Sequence, residues 1–331
     1  MTQTLSRETT TGETSEANAA DYLARVREIT PLIRAEAETM ERERKLTPAV
    51  AQAFEDKQLH MALVPTDLGG GGLSPSQGMH LYEEMAKADA STAWAYMASS
   101  WATAEVLGYL EPTVIEKLLA QPGGFIMAGQ LLPRHPGVQV DGGYIINGDF
   151  SFASGSDHAN WMGAGFFVAD ADGNPILGEN GQPQARVAMM PKDQVDLKYN
   201  WDVWGLAGTG SHDYSISENF VPAEYTIPTF GGTPTRSDIM YKLSNEFVGG
   251  SVTPEDLARG SQMLAWIHEV TDQVVAFAHR WGGSRSIGRT SELGRYVRDM
   301  HVATQHLLVD PKMMVDAAAV LLPIYAEAAK A

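Results

Sequence analysis

The feature that most constrains the fold is a block of short strand-like runs placed between two helical regions. Between Phe125 and about Pro228, apolar or alternating runs are divided by Gly, Asp, Asn and Pro. The runs cover 125–128, 138–140, 144–152, 165–169, 186–190 and 214–221. Many short strands separated by turn residues favour an antiparallel β-domain, either a sandwich or a barrel.

The region before this block is helical. From residue 19 to residue 40 apolar residues recur at steps of three and four, which predicts an amphipathic helix. Thr47-Pro48 and Ser74-Pro75 each combine an N-cap with a first-turn proline, so each predicts a further helix. The Ala-rich segment 91–110 carries several aromatic residues, which predicts a helix buried on nearly all sides with those residues in the core.

The last third of the chain is helical again. Thr253-Pro254 followed by two acidic residues predicts a helix that reaches Trp281-Gly282-Gly283. Further helices are predicted over 293–308 and 311–329. The predicted division is a disordered tail at 1–17, an N-terminal helical domain at 18–124, a central β-domain at 125–228 and a C-terminal helical domain at 229–331.

Composition narrows the possible functions. A formal net charge of -17 argues against nucleic acid and anionic membranes as partners. The chain has no cysteine, which excludes disulfides, a thiolate nucleophile and cysteine-ligated metal. No pair of histidines has the spacing of a metal site together with a carboxylate, so no metal is expected. The first residues are polar without an apolar signal core, and no apolar run is long enough to span a bilayer, so a cytoplasmic protein is expected.

One segment holds several residues that could take part in binding or catalysis. Residues 144–161 begin as a strand and break at Ser154-Gly155-Ser156 into a hydroxyl-rich turn that continues to His158 and Trp161. The pattern leaves two interpretations open. It is either an ordinary hairpin whose Ser and Gly residues only make a turn, or the floor of a site for a flat ligand with polar edges.

Three blocks resemble the acyl-CoA dehydrogenase superfamily. They are G-D-F-S-F-A-S-G-S-D-H-A-N-W at 148–161, G-L-A-G-T-G-S-H-D-Y-S-I-S-E-N-F-V-P at 205–222 and R-D-M-H-V-A-T-Q-H-L-L-V-D-P at 298–311. The third block is similar to the branch of two-component flavin monooxygenases that hydroxylate phenols and other aromatics. The resemblance covers nearly the whole chain and implies the family's α+β fold, in which an N-terminal helical domain, a central antiparallel β-domain and a C-terminal helical bundle follow one another.

The resemblance implies an activity and its partners. The chain is expected to be an oxygenase component that uses reduced flavin, FMNH2 or FADH2, and O2 to hydroxylate a small aromatic or phenolic substrate. A separate NAD(P)H-dependent flavin reductase would supply the reduced flavin, and no G-x-G-x-x-G fingerprint follows a strand in this chain. A homo-oligomer is also expected, since the family forms tetramers.

The resemblance also assigns residues. Ser154 stands where the family places a hydroxyl that contacts flavin N5, with Phe152 and Ala153 along the ring and Gly282 and Gly283 in the same cofactor site. A hydroxyl suits N5 because it can both donate and accept. The alternative for Ser154 is an ordinary turn hydroxyl.

His306 is the second expected catalytic residue. It lies 24 residues after Gly282, where the dehydrogenases of the family carry their catalytic glutamate. A histidine there can move a proton to or from a phenolic substrate. The alternative is a helical histidine bonded to a backbone carbonyl. His158 and Trp101 are the expected substrate contacts, while His301 is expected at the surface or behind the site.

Two departures from the family pattern leave other functions open. Ala207 stands in G-L-A-G-T-G where relatives commonly carry Arg, and the junction 241–253 is short where the family has two long helices of the C-terminal bundle. One alternative is an acyl-CoA dehydrogenase with a relocated base. The other is a shortened, non-catalytic member of the family that acts as a binding or assembly subunit.

Overall fold

The computed structural model describes residues 2–179, 181–229 and 232–328. The chain groups into two compact units, one formed by Met1–Trp201 with Gly208–Asn245 and the other by Asp202–Ala207 with Glu246–Ala331. The boundaries predicted between an N-terminal, a central and a C-terminal domain stay a prediction. Among the described residues, no helix combines the length and the hydrophobicity needed to cross a bilayer.

The first unit begins with five helices. Their bounds are α1 Thr2–Glu43, α2 Pro48–Asp56, α3 Pro75–Ala86, α4 Ala90–Leu107 and α5 Pro112–Leu119. The predicted face of α1 is buried, with Val26, Ile33 and Met40 fully inside the core. Ser74 caps α3 through a capping box with Gln77, so the helix start predicted there is confirmed.

The prediction of a disordered tail over residues 1–17 is wrong for the described part of that segment. The backbone is helical from Thr2, and the Ser15 hydroxyl donates to Gln77 Oε1 at 3.1 Å. Extending an existing helix adds one backbone hydrogen bond for each residue that is ordered. The amphipathic helix therefore continues towards the N-terminus beyond its own apolar stripe.

Helix α4 is surrounded by the rest of the unit, as the sequence predicts. Tyr96 is almost fully buried and its hydroxyl donates to the Leu59 carbonyl at 2.7 Å. The prediction that every aromatic residue of α4 lies in the core is wrong for Trp101, whose side chain is 37% exposed. Trp94 lies seven residues, or two helical turns, before Trp101, so both indoles are on the same face of α4. Trp94 is therefore partly exposed as well.

Seven strands complete the first unit as one sheet with the order β5-β6-β2-β1-β3-β4-β7. Their bounds are β1 Met127–Val140, β2 Gly143–Ala153, β3 Trp161–Ala169, β4 Ala185–Pro191, β5 Asp196–Leu197, β6 His212–Pro222 and β7 Thr226–Pro228. The prediction of a purely antiparallel domain is wrong for one pair, since β1 and β3 run parallel, with Met127 opposite Trp161. Strand β2 runs antiparallel to β1 and ends beside the first residues of β1. Strand β3 starts at that same end, on the other edge of β1, and therefore runs parallel to β1.

The second unit consists of helices. They are α7 Pro254–Gly282, α8 Glu292–Ala303 and α9 Lys312–Ala328, and the seven-residue α6 Lys242–Val248 spans the boundary with the first unit. Thr253 caps α7 as predicted. The loop 205–207 packs on α8, because the Leu206 amide donates to Asp299 Oδ1 at 2.6 Å and a Cβ on Gly205 would lie 2.0 Å from the Arg298 carbonyl oxygen.

The helix predicted over 293–308 ends earlier than expected, at Ala303. The Thr304 hydroxyl donates to the His301 carbonyl, and His306 Nδ1 accepts from the Leu308 amide. Such local bonds between side chain and backbone compete with helical hydrogen bonds. The chain therefore leaves the helix before His306 and forms a 3-10 turn at Leu307–Val309.

Two histidines of the first unit lie side by side with little access to water. His60 packs between the rings of Phe54 and Tyr96, and its Nε2 lies 3.1 Å from Ser99 Oγ. The ring of His158 lies 5.6 Å from that of His60, and neither of its nitrogens has a hydrogen-bond partner among the described residues. Loss of hydration on burial lowers the pKa of His60 to about 3 and that of His158 to about 4.

This burial predicts acid sensitivity. Both folded pKa values lie below the usual 6.5, so below pH 6.5 the unfolded chain binds protons that the folded chain does not, and stability falls as the pH falls. Between pH 7 and pH 5 the two histidines should together lower the free energy of unfolding by about 4 kcal/mol. Urea unfolding at both pH values measures this difference.

Substitutions of His60 and His158 test whether these two residues cause the acid sensitivity. His60→Gln and His158→Gln should each remove about half of the added acid sensitivity, whereas His80→Gln, at an exposed position of α3, should leave it unchanged. An unchanged difference between pH 7 and pH 5 in the His60→Gln, His158→Gln double variant would contradict the assignment.

Candidate active site

The turn after β2 lies against the loop that precedes β6. The register places Ala153 opposite His212, and the Gly155 amide donates to the Thr209 carbonyl at 3.0 Å. The Ser156 hydroxyl donates to the Gly210 carbonyl at 3.1 Å. Two segments that lie more than fifty residues apart in the chain are thereby held together by backbone contacts.

Three hydroxyls and one indole meet at this junction. Ser154 Oγ lies 2.7 Å from Ser211 Oγ, which in turn lies 2.7 Å from Thr209 Oγ1. The indole Nε1–H of Trp94, on α4, donates to Ser154 Oγ at 3.1 Å. The three hydroxyl residues are buried, which makes their hydrogen bonds stronger and the loss of one costly.

Phe152 marks the end of β2 and points outward. Its φ is 61°, an uncommon value for a residue with a side chain, and its side chain is 67% exposed. The Ser154 amide donates to the Phe152 carbonyl at 2.8 Å, which closes the kink. The Phe152 ring meets Trp201 edge-on at 6.1 Å, so two aromatic rings lie together where β2 ends. Strained backbone and an exposed aromatic ring at one place are typical of a binding site.

His212 holds the segment that carries Trp201. Its Nδ1 accepts from the Trp201 amide at 3.1 Å, and its Nε2 lies 3.1 Å from Asp157 Oδ2. A nitrogen that accepts has no proton, so the proton of the neutral ring is on Nε2 and is donated to Asp157. Gly210 has a φ of 57°, which favours glycine, and a Cβ there would come within 2.4 Å of the same Asp157 oxygen.

A depression of about 700 Å³ adjoins this junction. Its lining includes Asn160, Lys192, Leu197 and Tyr199, and the Tyr199 ring lies 5.3 Å from that of His212. Burial lowers the pKa of Lys192, whose amine donates to the Asp157 carbonyl. Within the described residues, no group of three or more His, Asp or Glu residues is placed to hold a metal ion.

The structure places the sequence-predicted residues of the first unit in three different settings. Phe152 and Ala153 end β2 and Ser154 follows, with Ala153 buried, and their role as a cofactor site stays a prediction. Trp101 is exposed on α4. His158 packs against His60 in the interior, which is the setting of a packing residue, so its contact with a substrate stays a prediction.

The other predicted residues lie in the second unit. Gly282 ends α7, and a Cβ there would lie 2.7 Å from a methyl group of Leu293, while Gly283 follows with φ 61°. His306 is not a helical histidine, because it caps the 3-10 turn and its Nδ1 accepts from Leu308, which leaves the proton of the neutral ring on Nε2. Burial and then the nearby His268 lower the pKa of His306, so its neutral form is favoured.

His301, on α8, has different partners. Its Nδ1 lies 2.7 Å from Asp272 Oδ1, and its ring meets Trp204 at 5.5 Å. The sequence predicts a position for His301 at the surface or behind the site. A close contact with a neighbouring helix fits a role in packing.

Several residues of the junction are not predicted by the sequence. The sequence pattern places Trp94 in the core, and Thr209 and Ser211 stand out only as part of the T-G-S block. The spacing of Trp94 and Trp101, seven residues apart on one helix, was an available signal. The contact of Trp201 with Phe152 depends on tertiary structure and has no sequence signature.

Comparison with known families agrees with the observed architecture. A family model described as the acyl-CoA dehydrogenase N-terminal domain matches residues 20–121, and the corresponding C-terminal domain matches residues 244–311. The α+β layout predicted from the sequence is confirmed.

Curated relatives share part of the chain. Indole-3-acetate monooxygenase of Acinetobacter baumannii is 31% identical over 169 residues, which are 51% of this chain and 41% of the relative. The flavin-dependent monooxygenase oxygenase subunit HsaA of Mycobacterium tuberculosis is 27% identical over 236 residues, 68% of this chain and 57% of the relative. The oxygenase component of p-hydroxyphenylacetate 3-hydroxylase from Acinetobacter baumannii is 27% identical over 218 residues, 66% of this chain and 49% of the relative. The chain therefore spans about half the length of the curated relatives that it matches.

Solved structures support the fold. The HsaA monooxygenase from M. tuberculosis superimposes with a TM-score of 0.76 at 19% identity, covering 90% of this chain and 97% of that chain. XiaF from Streptomyces sp., solved with FADH2 and glycerol, gives a TM-score of 0.76 at 17% identity, covering 92% and 96%. At sequence identities of 17% and 19%, the structural similarity shows that these proteins share a fold with this chain.

The Asp157–His212 pair gives a testable prediction. Asp157→Ala should lower the free energy of unfolding by about 1–3 kcal/mol, because it leaves the buried Nε2–H of His212 without an acceptor. Asp157→Asn keeps an acceptor oxygen at the same place and should cost less than half as much. Urea unfolding of the two variants measures the difference. Equal losses for Ala and Asn would show that the hydrogen bond does not hold this segment.

Proposed function

The chain belongs to the acyl-CoA dehydrogenase superfamily, and on that premise we propose that it acts as the oxygenase component of a two-component flavin-dependent monooxygenase. The proposed reaction uses reduced flavin, FMNH2 or FADH2, and O2 to hydroxylate a small aromatic or phenolic substrate. The relatives named as monooxygenases, oxygenase subunits and hydroxylase components support this assignment. Their names also support a separate flavin reductase as the partner.

The observation that carries the proposal is the junction around Ser154. An exposed aromatic ring at Phe152 and a hydroxyl that can donate or accept suit a flat, polar-edged ring whose nitrogen changes its protonation state. The residues present therefore fit a flavin. Phe152, Ala153 and Ser154 would hold the ring, and the family resemblance adds Gly282 and Gly283. Bound reduced flavin supplies the electrons that allow one atom of O2 to enter the substrate.

Three residues of the chain would have separate roles in binding and catalysis. The Ser154 hydroxyl binds and orients the edge of the flavin ring. The indole of Trp101 offers an exposed apolar surface to an aromatic substrate. His306, neutral near pH 7 and protonated on Nε2, can donate to a phenolic oxygen or accept its proton on Nδ1 after the bond to Leu308 opens. That His306 and Ser154 serve one site rests on the family resemblance.

Two substitutions should separate these roles. Ser154→Ala should leave flavin affinity within about threefold and increase the H2O2 released for each product formed, because an unrestrained flavin edge couples oxygen less well. His306→Ala should slow product formation by roughly a hundredfold, the usual effect of losing a general acid–base residue. Rapid-mixing experiments with reduced flavin, O2 and a panel of phenols, counting product and peroxide together, measure both effects.

The matched controls are Ser156→Ala, which removes a hydroxyl of the same turn, and His301→Ala, which removes a histidine of the same segment. Both should keep the wild-type ratio of product to peroxide. If Ser154→Ala and His306→Ala also keep it, neither residue is catalytic. Reduction of bound flavin by acyl-CoA thioesters would instead show an acyl-CoA dehydrogenase, and flavin binding without any turnover would favour a binding subunit.

Self-association is the second part of the proposal. One face of α7 carries apolar side chains, each at least 36% exposed, at steps of three and four; they are Met263, Trp266, Ile267, Val270, Val274, Phe277 and Trp281. A continuous apolar stripe on a helix normally lies in an interface. We propose that a second copy of the chain covers this stripe.

Sedimentation velocity tests this proposal. The wild-type chain should sediment as an oligomer, and the double variant Trp266→Glu, Phe277→Glu should shift towards monomer, because charges in an apolar interface cannot be paired. Ala276→Glu adds a charge at an exposed position of the same helix that lies off the stripe, and it should keep the oligomer. A wild-type chain that sediments as a protease-resistant monomer would contradict the proposal.

A further inference from the structure

Helix α4 is accessible along one narrow strip. Twelve of its 18 residues are buried, and the remaining six all fall within about 100° of the helical wheel. These six residues, which we call the α4 strip, are Ala90, Trp94, Met97, Ala98, Trp101 and Glu105. A helix face in contact with bulk water normally carries polar and charged side chains. The α4 strip is instead apolar and aromatic over most of its length, which is typical of a binding surface.

Glu105 is the only charged residue of α4, and it follows Trp101 on the strip after one helical turn. Its carboxylate accepts from the Tyr109 hydroxyl at 3.3 Å, and no Lys, Arg or His side chain pairs with it in the part of the chain that the structure describes. Burial raises the pKa of Glu105, while the Tyr109 hydroxyl lowers it. Partial loss of hydration makes an ionised carboxylate costly, and a cation bound beside it would offset that cost.

The α4 strip starts beside the proposed flavin site, because the Trp94 indole donates to Ser154 Oγ. Each residue of an α-helix adds about 1.5 Å along its axis, so Trp101 lies about 10 Å and Glu105 about 16 Å beyond Trp94. Helical side chains lean towards the N-terminus, so the Glu105 side chain extends back along the strip in the direction of Trp101. A ligand that lies along the strip therefore has one end near Ser154 and the other near Glu105.

We propose that the α4 strip binds an elongated aromatic substrate whose far end carries a protonated amine, and that Glu105 selects this substrate through its negative charge. This inference rests on the proposed function, in which hydroxylation takes place beside Ser154. The substrate ring lies against the apolar part of the strip, and the amine lies one to two helical turns further on, about 5–10 Å from the ring. The Trp101 indole adds to the selection, because the face of an aromatic ring attracts a cation. Glu105 repels a substrate that ends in a carboxylate.

A panel of substrates isolates the effect of charge. It consists of phenols with a para alkyl chain of increasing length that ends in an amine, an alcohol or a carboxylate, and each compound is tested for equilibrium binding and for hydroxylation. The wild-type chain should have its highest kcat/KM with amines whose alkyl chain is long enough to reach Glu105, and its lowest with carboxylates of the same length. Amines on the shortest alkyl chains should lose this advantage, because their charge stays near Trp94.

Glu105→Gln is the central variant, because it keeps the size of the side chain and an acceptor for Tyr109 but removes the charge. It should lower the ratio of kcat/KM for the long amine to that for the matched carboxylate by at least about tenfold. Two controls should keep the wild-type ratio. Glu111→Gln removes the same charge from the exposed N-cap of α5, where the side chain makes no cap hydrogen bond. Tyr109→Phe removes the hydrogen bond to Glu105 and leaves its charge.

The wild-type profile is itself a test, since a chain that shows no preference for amines over carboxylates at any length would overturn the proposal. A folded Glu105→Gln protein that keeps the wild-type ratio would also overturn it, and so would an equal fall of the ratio in Tyr109→Phe. In each case, hydroxylation of the phenols would leave the oxygenase assignment standing. Binding of amines that depends on Glu105 but is not followed by hydroxylation would instead support the selection by Glu105 and overturn the oxygenase assignment.

A second copy of the chain is the other possible occupant of the α4 strip. Trp101→Glu places a charge on the strip and should leave the sedimentation coefficient of the wild-type chain unchanged, because only a small molecule is lost from this surface. A shift of Trp101→Glu towards smaller species would show that another chain covers the strip and would overturn the proposal.

Discussion

The arrangement of the first unit depends on hydrogen bonds between side chains of α4 and the strand block. Ser91 Oγ accepts from the Gly208 amide at 3.2 Å, and Thr103 Oγ1 accepts from the Met127 amide at 3.0 Å. The indole of Trp94 donates to Ser154 between them along the helix. Each bond satisfies a polar group that packing has removed from water, and losing one would cost the full desolvation of that group. These bonds therefore fix the position of the helix as well as joining it to the sheet.

A helix fixed in this way determines what surrounds Ser154. The three bonds hold α4 against the start of β1 and the loop before β6, so the indole of Trp94 reaches the Ser154 hydroxyl. With α4 held in this orientation, Trp101 lies at the surface, two helical turns away from Trp94. The polar contacts of α4 thus explain why its aromatic residues divide between core and surface, which hydrophobicity alone does not predict.

The second unit is organised by different forces. Its buried core is small, with Ala258, Ala317 and Leu321 as the cluster of α7 and α9, and much of its apolar surface is exposed. A polar contact, from the Leu206 amide to Asp299, ties the loop 205–207 to α8. A helical unit with a small core and an exposed apolar stripe is the type of structure that gains stability from association with another chain.

Local patterns in the sequence predicted the elements. Periodicity, N-caps and turn residues predicted the order of helices and strands, because each of these signals lies within a few residues. The same locality explains the errors. The length of α1 depends on helix propagation, the early end of α8 on local bonds of Thr304 and His306, and the parallel β1–β3 pair on where β2 ends.

The amino-acid sequence by itself determined the α+β order of the elements, the acidic surface and the hydroxyl-rich turn at Ser154, because each is a property of composition or of neighbouring residues. Only the tertiary structure decided that Ser154 meets Ser211, Thr209 and Trp94, and that His158 lies beside His60 in the interior. Those contacts join residues from distant parts of the chain. They depend on the register of β2 with β6 and on the docking of α4, which no local pattern specifies.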